Sequence, residues 1–197
     1  DERYNFKYIK EIRESTPGGR QRVTTRSRTY HEPYQITHRV AVNGKITEIV
    51  HNTLLAQKTF TSPEGRTFTA FYDPGNLLTL SMNTPGLYDI SYGYDSRGRL
   101  TSLAAGTRQT AFTYNSRGFL ETITNPENHA TTYEYDPVGR VKAVSRPDTS
   151  TLFFDYDANG NMTVLTNPVS IDHNFGYNKV NLQSQYQTPV SGSYSYL

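Results

Sequence analysis

Cysteine is absent from the sequence, so disulfide bridges and cysteine-ligated metal sites are excluded from the outset. Charge is scarce too: Asp, Glu, Lys and Arg make up 19% of the 197 residues, and the formal net charge is +2. A balance so near neutral gives no electrostatic reason to expect a nucleic-acid partner. Low charge combined with abundant aromatics also argues against a disordered chain. No run approaches the roughly 18 consecutive apolar residues of a membrane-spanning helix, so this segment is not expected to insert into a membrane. Helical periodicity of useful length is missing throughout. The five histidines, His31, His38, His51, His129 and His173, have no metal-ligand spacing, and no cofactor is expected. The chain starts at Asp1 with neither an initiating Met nor a signal peptide, and reads as a piece of something longer.

What fills the sequence instead is Tyr, Phe, Thr, Ser, Asn and Gln, with 16 Tyr and 9 Phe against a hydrophobic content of 35%. Tyr and Thr fit strands, so composition leans all-β. The length suffices for one ordinary domain with a core.

Self-similarity organises these residues. "YGYDSRGRLTSL" from Tyr92 aligns with "FTYNSRGFLETI" from Phe112, "YEYDPVGRVKAV" from Tyr133 and "FDYDANGNMTVL" from Phe154. The second aromatics, Tyr94, Tyr114, Tyr135 and Tyr156, recur every 20 to 21 residues, and Tyr72 and Tyr177 extend the frame at either end. Glycines follow in register at Gly98, Gly118, Gly139 and Gly160, with Asn181 in that place after Tyr177 and Gly75 nearest to it after Tyr72. A proline stands nine residues before Tyr72, Tyr94, Tyr135, Tyr156 and Tyr177; only the unit at Tyr114 lacks one. A repeat at this period is the mark of stacked supersecondary units.

Each unit reads as a hairpin. In "YDSRG" Asp95 can bond the turn backbone, and Gly98 supplies the positive φ of a type I turn closed by a glycine bulge. Asp136–Pro137–Val138–Gly139 fits the same turn with φ preset by proline. Residues 90–94 and 99–103 form the arms. Tyr92 and Tyr94 share a face, whereas Leu100 and Leu103 are an odd number apart, so the arm is bulged or both faces are covered. Segments such as "TNPEN" at Thr124 and "TNPVS" at Thr166 break the ladder and lead into the next hairpin. Lone hairpins are marginal in water, so the units must stack.

The first sixty residues carry a worn form of this grammar. "RYNFKY" alternates Tyr4, Phe6 and Tyr8 with polar residues; "VTTRSRTY" puts Arg22, Arg26 and Arg28 on one face; Asn43–Gly44 is a type I′ turn. The expected organisation is therefore degenerate hairpins over 1–60 and regular repeats over 61–197, in one continuous array.

Consecutive Y-x-Y-D-x-x-G strings resemble the YD-repeat, or Rhs-repeat, family, which includes bacterial Rhs toxins, Tc-toxin shell components, wall-associated proteins and teneurins. The resemblance implies antiparallel β-hairpins laid side by side in a long curved or spiralling sheet, part of a hollow shell. It further implies a secreted or cell-surface bacterial setting, no catalytic role, and partners in the neighbouring repeats of the parent chain. In the toxins such a shell encloses a C-terminal toxin domain. The aspartyl autoproteolysis site of the family is not recognisable; Asp136, in "DPVG", falls on a hairpin turn in register with Asp95 and Asp157.

Other chemistry competes with this reading at few positions. Asp157, Asn159 and Asn161 alternate like the start of a calcium loop, but the glycine comes at the fourth place and no Glu follows at the twelfth. Asn161–Met162–Thr163 formally matches a glycosylation acceptor. The Arg22–Arg26–Arg28 row could meet phosphate or an acidic partner. The tyrosines could stack on glycans, although aromatic ladders also hold sheets together. His129 and His173 are expected in solvent-facing segments between hairpins. Two readings stay open: a structural wall segment, and an extracellular adhesion or carbohydrate- or protein-binding surface.

Overall fold

Every regular hairpin turns on one Asp or Asn whose side chain folds back onto the backbone. Asp136 Oδ1 accepts the N–H groups of Val138 and Arg140 at 3.0 and 2.9 Å. The Asp136 N–H donates to the Arg140 carbonyl, and the Gly139 N–H donates to the Asp136 carbonyl. The same set recurs at Asp95, Asn115, Asp157 and Asn178. Such a turn needs positive φ three residues after the Asx, and Gly139 supplies it at 95°.

The structure is a computed structural model that describes residues 7–15, 21–31, 33–189 and 193–195. The chain divides into two units, Asp1–Gln109 and Thr110–Leu197. In the first run β1 (Lys7–Ser15), β2 (Gln21–His31), β3 (Gln35–Val42), β4 (Lys45–Asn52), β5 (Gln57–Thr61), β6 (Thr67–Tyr72), β7 (Thr79–Asn83), β8 (Ile90–Tyr94) and β9 (Leu100–Ala105). The second holds β10 (Arg108–Tyr114), which begins just before its border, then β11 (Leu120–Thr124), β12 (Ala130–Tyr135), β13 (Val141–Ser145), β14 (Thr151–Tyr156), β15 (Met162–Thr166), β16 (Asp172–Tyr177), β17 (Gln183–Gln187) and β18 (Ser193–Ser195). Within each unit every strand pairs antiparallel with the next in sequence, a meander without helices among the described residues. Tyr4 and Phe6, and the "TPGGR" stretch at Thr16, lie outside the described residues.

The proline segments do not interrupt the ladder. Asn125 Oδ1 accepts the N–H groups of Glu127 and His129, and Asn167 Oδ1 those of Val169 and Ile171. These are the same turns with proline at the second position, where its missing N–H is not needed. Pairing resumes at once on either side, as in Thr124↔Ala130 and Thr166↔Asp172. Here the positive-φ place is held by Asn128, Ser170 and, at φ 68°, the β-branched Thr149, a strained choice. The turn after Tyr72 also differs from expectation. It is one residue longer, and Leu77 at φ 63°, not Gly75, takes the left-handed position.

A bulge resolves the odd spacing of Leu100 and Leu103. Gly93 pairs with Ser102 but Tyr94 pairs with Leu100, so Thr101 is the extra residue. Leu100 and Leu103 thereby oppose Tyr94 and Tyr92 on one face. The shift recurs at Glu121, Lys142, Thr163 and, opposite Gly176/Tyr177, Ser184. In the second unit one face collects Phe112, Ile123, Tyr133, Val144, Phe154 and Leu165, and the other carries Thr113, Thr122, Thr132, Ser145 and Thr151. Burial is thin. Among the described residues only Tyr72, Thr37 and Ala143 fall to 7%, 7% and 3% exposure, so no closed two-layer core forms.

Candidate functional site

Once the turns are in place, the second aromatic of four hairpins meets the hairpin before it. The Tyr94 hydroxyl donates to the Thr79 carbonyl at 2.8 Å. Tyr135 donates to Leu120, Tyr156 to Val141 and Tyr177 to Met162, at 2.7, 2.9 and 3.0 Å. Each acceptor is the residue opposite the preceding hairpin's own tyrosine, at the start of the bulged arm. The bulge frees a carbonyl from regular pairing, and the tyrosine of the next repeat takes it. Tyr72 departs from the pattern: its hydroxyl lies 2.6 Å from His51 Nε2, beneath the Lys58 ammonium. Tyr114 pairs with Leu120, and Gly118 and Gly160 hold φ of 91° and 89°.

Arginine adds a second set of stitches along the turns. Arg99 and Arg140 each bond the Asp four residues earlier, Nε to Oδ2 at 2.7 and 2.6 Å. Arg140 also lies over the Tyr156 ring and donates to the Asp157 carbonyl at 2.9 Å. Arg117 lies over Phe119 and donates to the carbonyls of Asp136 and Pro137. In the next repeat amides take over: Asn159 and Asn161 both donate to Asn181 Oδ1. The position is not uniformly Arg: Arg99, Phe119, Arg140, Asn161 and Leu182 follow one another there in successive repeats. The signal lies in the pairing of two positions: a polar donor follows where Asp opens the turn (Arg at 95/99 and 136/140, Asn at 157/161), and Phe or Leu where Asn does (115/119, 178/182).

The candidates for other chemistry are absorbed by these contacts. Both Asp157 oxygens are engaged, Oδ1 by two backbone N–H groups and Oδ2 by Asn161 Nδ2, so the calcium-like spacing serves the turn. The Asn161 amide of the formal glycosylation sequence is held by Asp157 and Asn181. His129 is exposed in a turn, but His173 is half-buried in β16, with Nδ1 2.6 Å from the Tyr186 hydroxyl, contrary to the solvent-facing expectation. No three His, Asp or Glu among the described residues are placed to hold a metal ion. No helix among them is long and apolar enough to cross a membrane.

The carboxylates of Asp95, Asp136 and Asp157 are held below their ordinary value. For Asp95 the main cause is the Arg99 N–H, assisted by the Arg99 side chain; for Asp157 it is the Asn161 amide. At Asp136 burial acts upward but is outweighed by the backbone, side chain and charge of Arg140. A depressed folded-state pKa means stability that is complete above the ordinary carboxylate value and is lost as pH falls through the folded values. The triple variant Asp95→Asn/Asp136→Asn/Asp157→Asn keeps the turn acceptors, as Asn115 and Asn178 do. It should melt lower than the parent at neutral pH yet lose less between about pH 4 and 2. Parallel melting curves against pH would show that these carboxylates do not carry the acid sensitivity.

A family model described as Teneurin YD-shell matches residues 5–197. The chain is also similar to solved structures. One is the crystal structure of TcdB2-TccC3-Cdc42, with a TM-score of 0.60 and 13% identity over 94% of this chain and 14% of that one. A Photorhabdus luminescens Tc holotoxin pore carrying a TccC3 mutation gives 0.59 and 13%, over 95% and 14%. The crystal structure of TcdB2-TccC3 gives 0.59 and 13%, over 93% and 14%. At such identity the likeness establishes the fold, and the chain spans 14% of the length of these neighbours. No curated protein matches the chain.

Proposed function

Because the chain belongs to the teneurin YD-shell family, we propose that it is a non-catalytic stretch of shell wall in a secreted or cell-surface bacterial protein of the Rhs type, enclosing a toxin or other cargo domain. The observation that carries this reading is the tyrosine stitch, made between consecutive repeats at Tyr94, Tyr135, Tyr156 and Tyr177. Its donors and acceptors lie inside the sheet, so the residues that looked chemically versatile join one hairpin to the next. Such a sheet resists unravelling because each repeat is held by its neighbours. The wall's partners are then the adjoining repeats of the parent chain and the enclosed domain. Within it, residues 1–60 form degenerate hairpins and residues 61–197 the regular ones. The repeat positions Tyr72, Tyr94, Tyr114, Tyr135, Tyr156 and Tyr177, with Gly98, Gly118, Gly139 and Gly160, act structurally.

Limited proteolysis of the parent protein tests this reading. The cargo should survive protease while the wall is intact, and should become cleavable when Gly139→Val loosens the wall. Cargo digested equally fast in the unaltered parent sinks the proposal.

A further inference from the structure

The two faces of β1–β3 treat their charges differently. On one face the arginines have carboxylates: Arg13 pairs with Glu11, and Arg39 with Glu48 of β4. The other face carries Lys10, Arg22, Arg26 and Arg28, all exposed and none in an ion pair among the described residues. Strand register gathers them. Lys10 lies opposite Arg26, Tyr8 opposite Arg28 and Glu14 opposite Arg22, while His38 flanks Arg28 from β3. Like charges directly opposite weaken an antiparallel ladder, so the Lys10–Arg26 pair works against the sheet that holds it. His38 is held below the ordinary imidazole value, by burial first and by the Arg28 charge second.

Beside these cations lies a depression of about 300 Å³, floored by Thr24, Val40 and Val42 and flanked by Glu14, Arg22 and Arg26. Arg28 rests over the Tyr30 ring, 4.7 Å from its centroid, which limits the orientations of its guanidinium.

We propose that this face docks an extended acidic polypeptide segment, with carboxylates at alternate positions meeting Arg26 and Arg28. Alternate residues of a strand are about 7 Å apart, and an extended peptide has the same period, so two charges match in one register. A guanidinium presents a planar fork that fits a carboxylate with two parallel hydrogen bonds. Glu14 decides between a peptide and a uniform polyanion. A phosphate or sulfate polymer would set negative charge against it, whereas a peptide can place a neutral or basic residue there. The surface would act whether or not the chain encloses a cargo.

The test uses the whole chain and a labelled peptide of alternating Glu and Thr, followed by fluorescence anisotropy. The expected result is binding that weakens as salt is raised, and at least about tenfold weaker binding to Arg26→Ser/Arg28→Ser. Arg39→Ser, on the opposite face, should leave binding unchanged. Bound carboxylate should also raise the pKa of His38, read by NMR titration. Melting temperatures separate lost contacts from lost folding, and Lys10→Ser gives a milder variant if the double one melts early. The proposal is overturned by no binding, by equal binding to the double variant, or by a heparin oligosaccharide or oligonucleotide of equal charge binding as tightly through the same arginines.

Discussion

Gly139→Val should destabilise the Thr110–Leu197 unit by about 3–4 kcal/mol, whereas Gly160→Val, at the same turn position one repeat on, should cost about 1–2 kcal/mol. Both glycines have the left-handed φ that an L side chain resists, 95° and 89° respectively. They differ in what a side chain would meet. A Cβ at Gly139 would lie 2.7 Å from Phe119 Cζ, and one at Gly160 would meet nothing within 4 Å. Phe119 cannot easily move aside: it stacks on Tyr135 at 5.0 Å and lies under Arg117. The first substitution therefore adds overpacking between two repeats to the backbone strain, and the second adds strain alone. Urea denaturation followed by circular dichroism measures both. Equal losses would mean that the two turns are independent of the preceding repeat, and parent-like stability in both would remove the turn geometry itself.

That contrast marks where the sequence was legible. The hairpins could be read because their signals are local: Asx, then a left-handed residue, then an aliphatic, with arms of alternating character. The proline segments could be read as turns but not as equivalents of the hairpin tips. Their positive-φ residues are Asn128, Thr149 and Ser170, and no glycine advertises them. The bulge at Thr101 was visible only as an unexplained odd spacing. A register shift is a property of two strands, and one strand's pattern leaves it open.

Contacts between repeats were harder still. The second aromatic is Tyr in every unit, while the first is Tyr92, Phe112, Tyr133, Phe154 or Phe175. A hydroxyl kept at one position and dispensable at its neighbour points to a hydrogen bond, but its acceptor is a backbone carbonyl 15 residues away, which no side-chain pattern identifies. The arginine contacts are hidden in the sequence for a related reason. Arg140 reaches the Asp157 carbonyl, whereas the next repeat does the equivalent work with Asn159, Asn161 and Asn181. Different side chains filling one role look like no role at all when positions are compared one by one.

Removing the ring of Tyr135 should have the second large effect, and a series of substitutions separates its parts. Tyr135→Phe loses the hydroxyl bond to the Leu120 carbonyl and should cost about 1 kcal/mol. Tyr135→Ala also removes a half-buried ring stacked on Phe119, and should cost about 2–4 kcal/mol. Pairing each variant with Phe119→Leu closes a double-mutant cycle. The ring, but not the hydroxyl, should couple to Phe119, by about 0.5–1.5 kcal/mol. Alkaline titration gives an independent reading of the hydroxyl. Burial, and then the neighbouring Tyr133, raise the Tyr135 pKa, so its stabilisation is complete below the ordinary phenol value near 10 and is lost as pH rises through the folded value. Tyr135→Phe should therefore flatten the alkaline fall in melting temperature while lowering its neutral plateau. A variant that keeps the parent's alkaline slope and plateau would show that this hydroxyl does not join the repeats, and the stitched sheet would have to rest on ring packing and strand pairing alone.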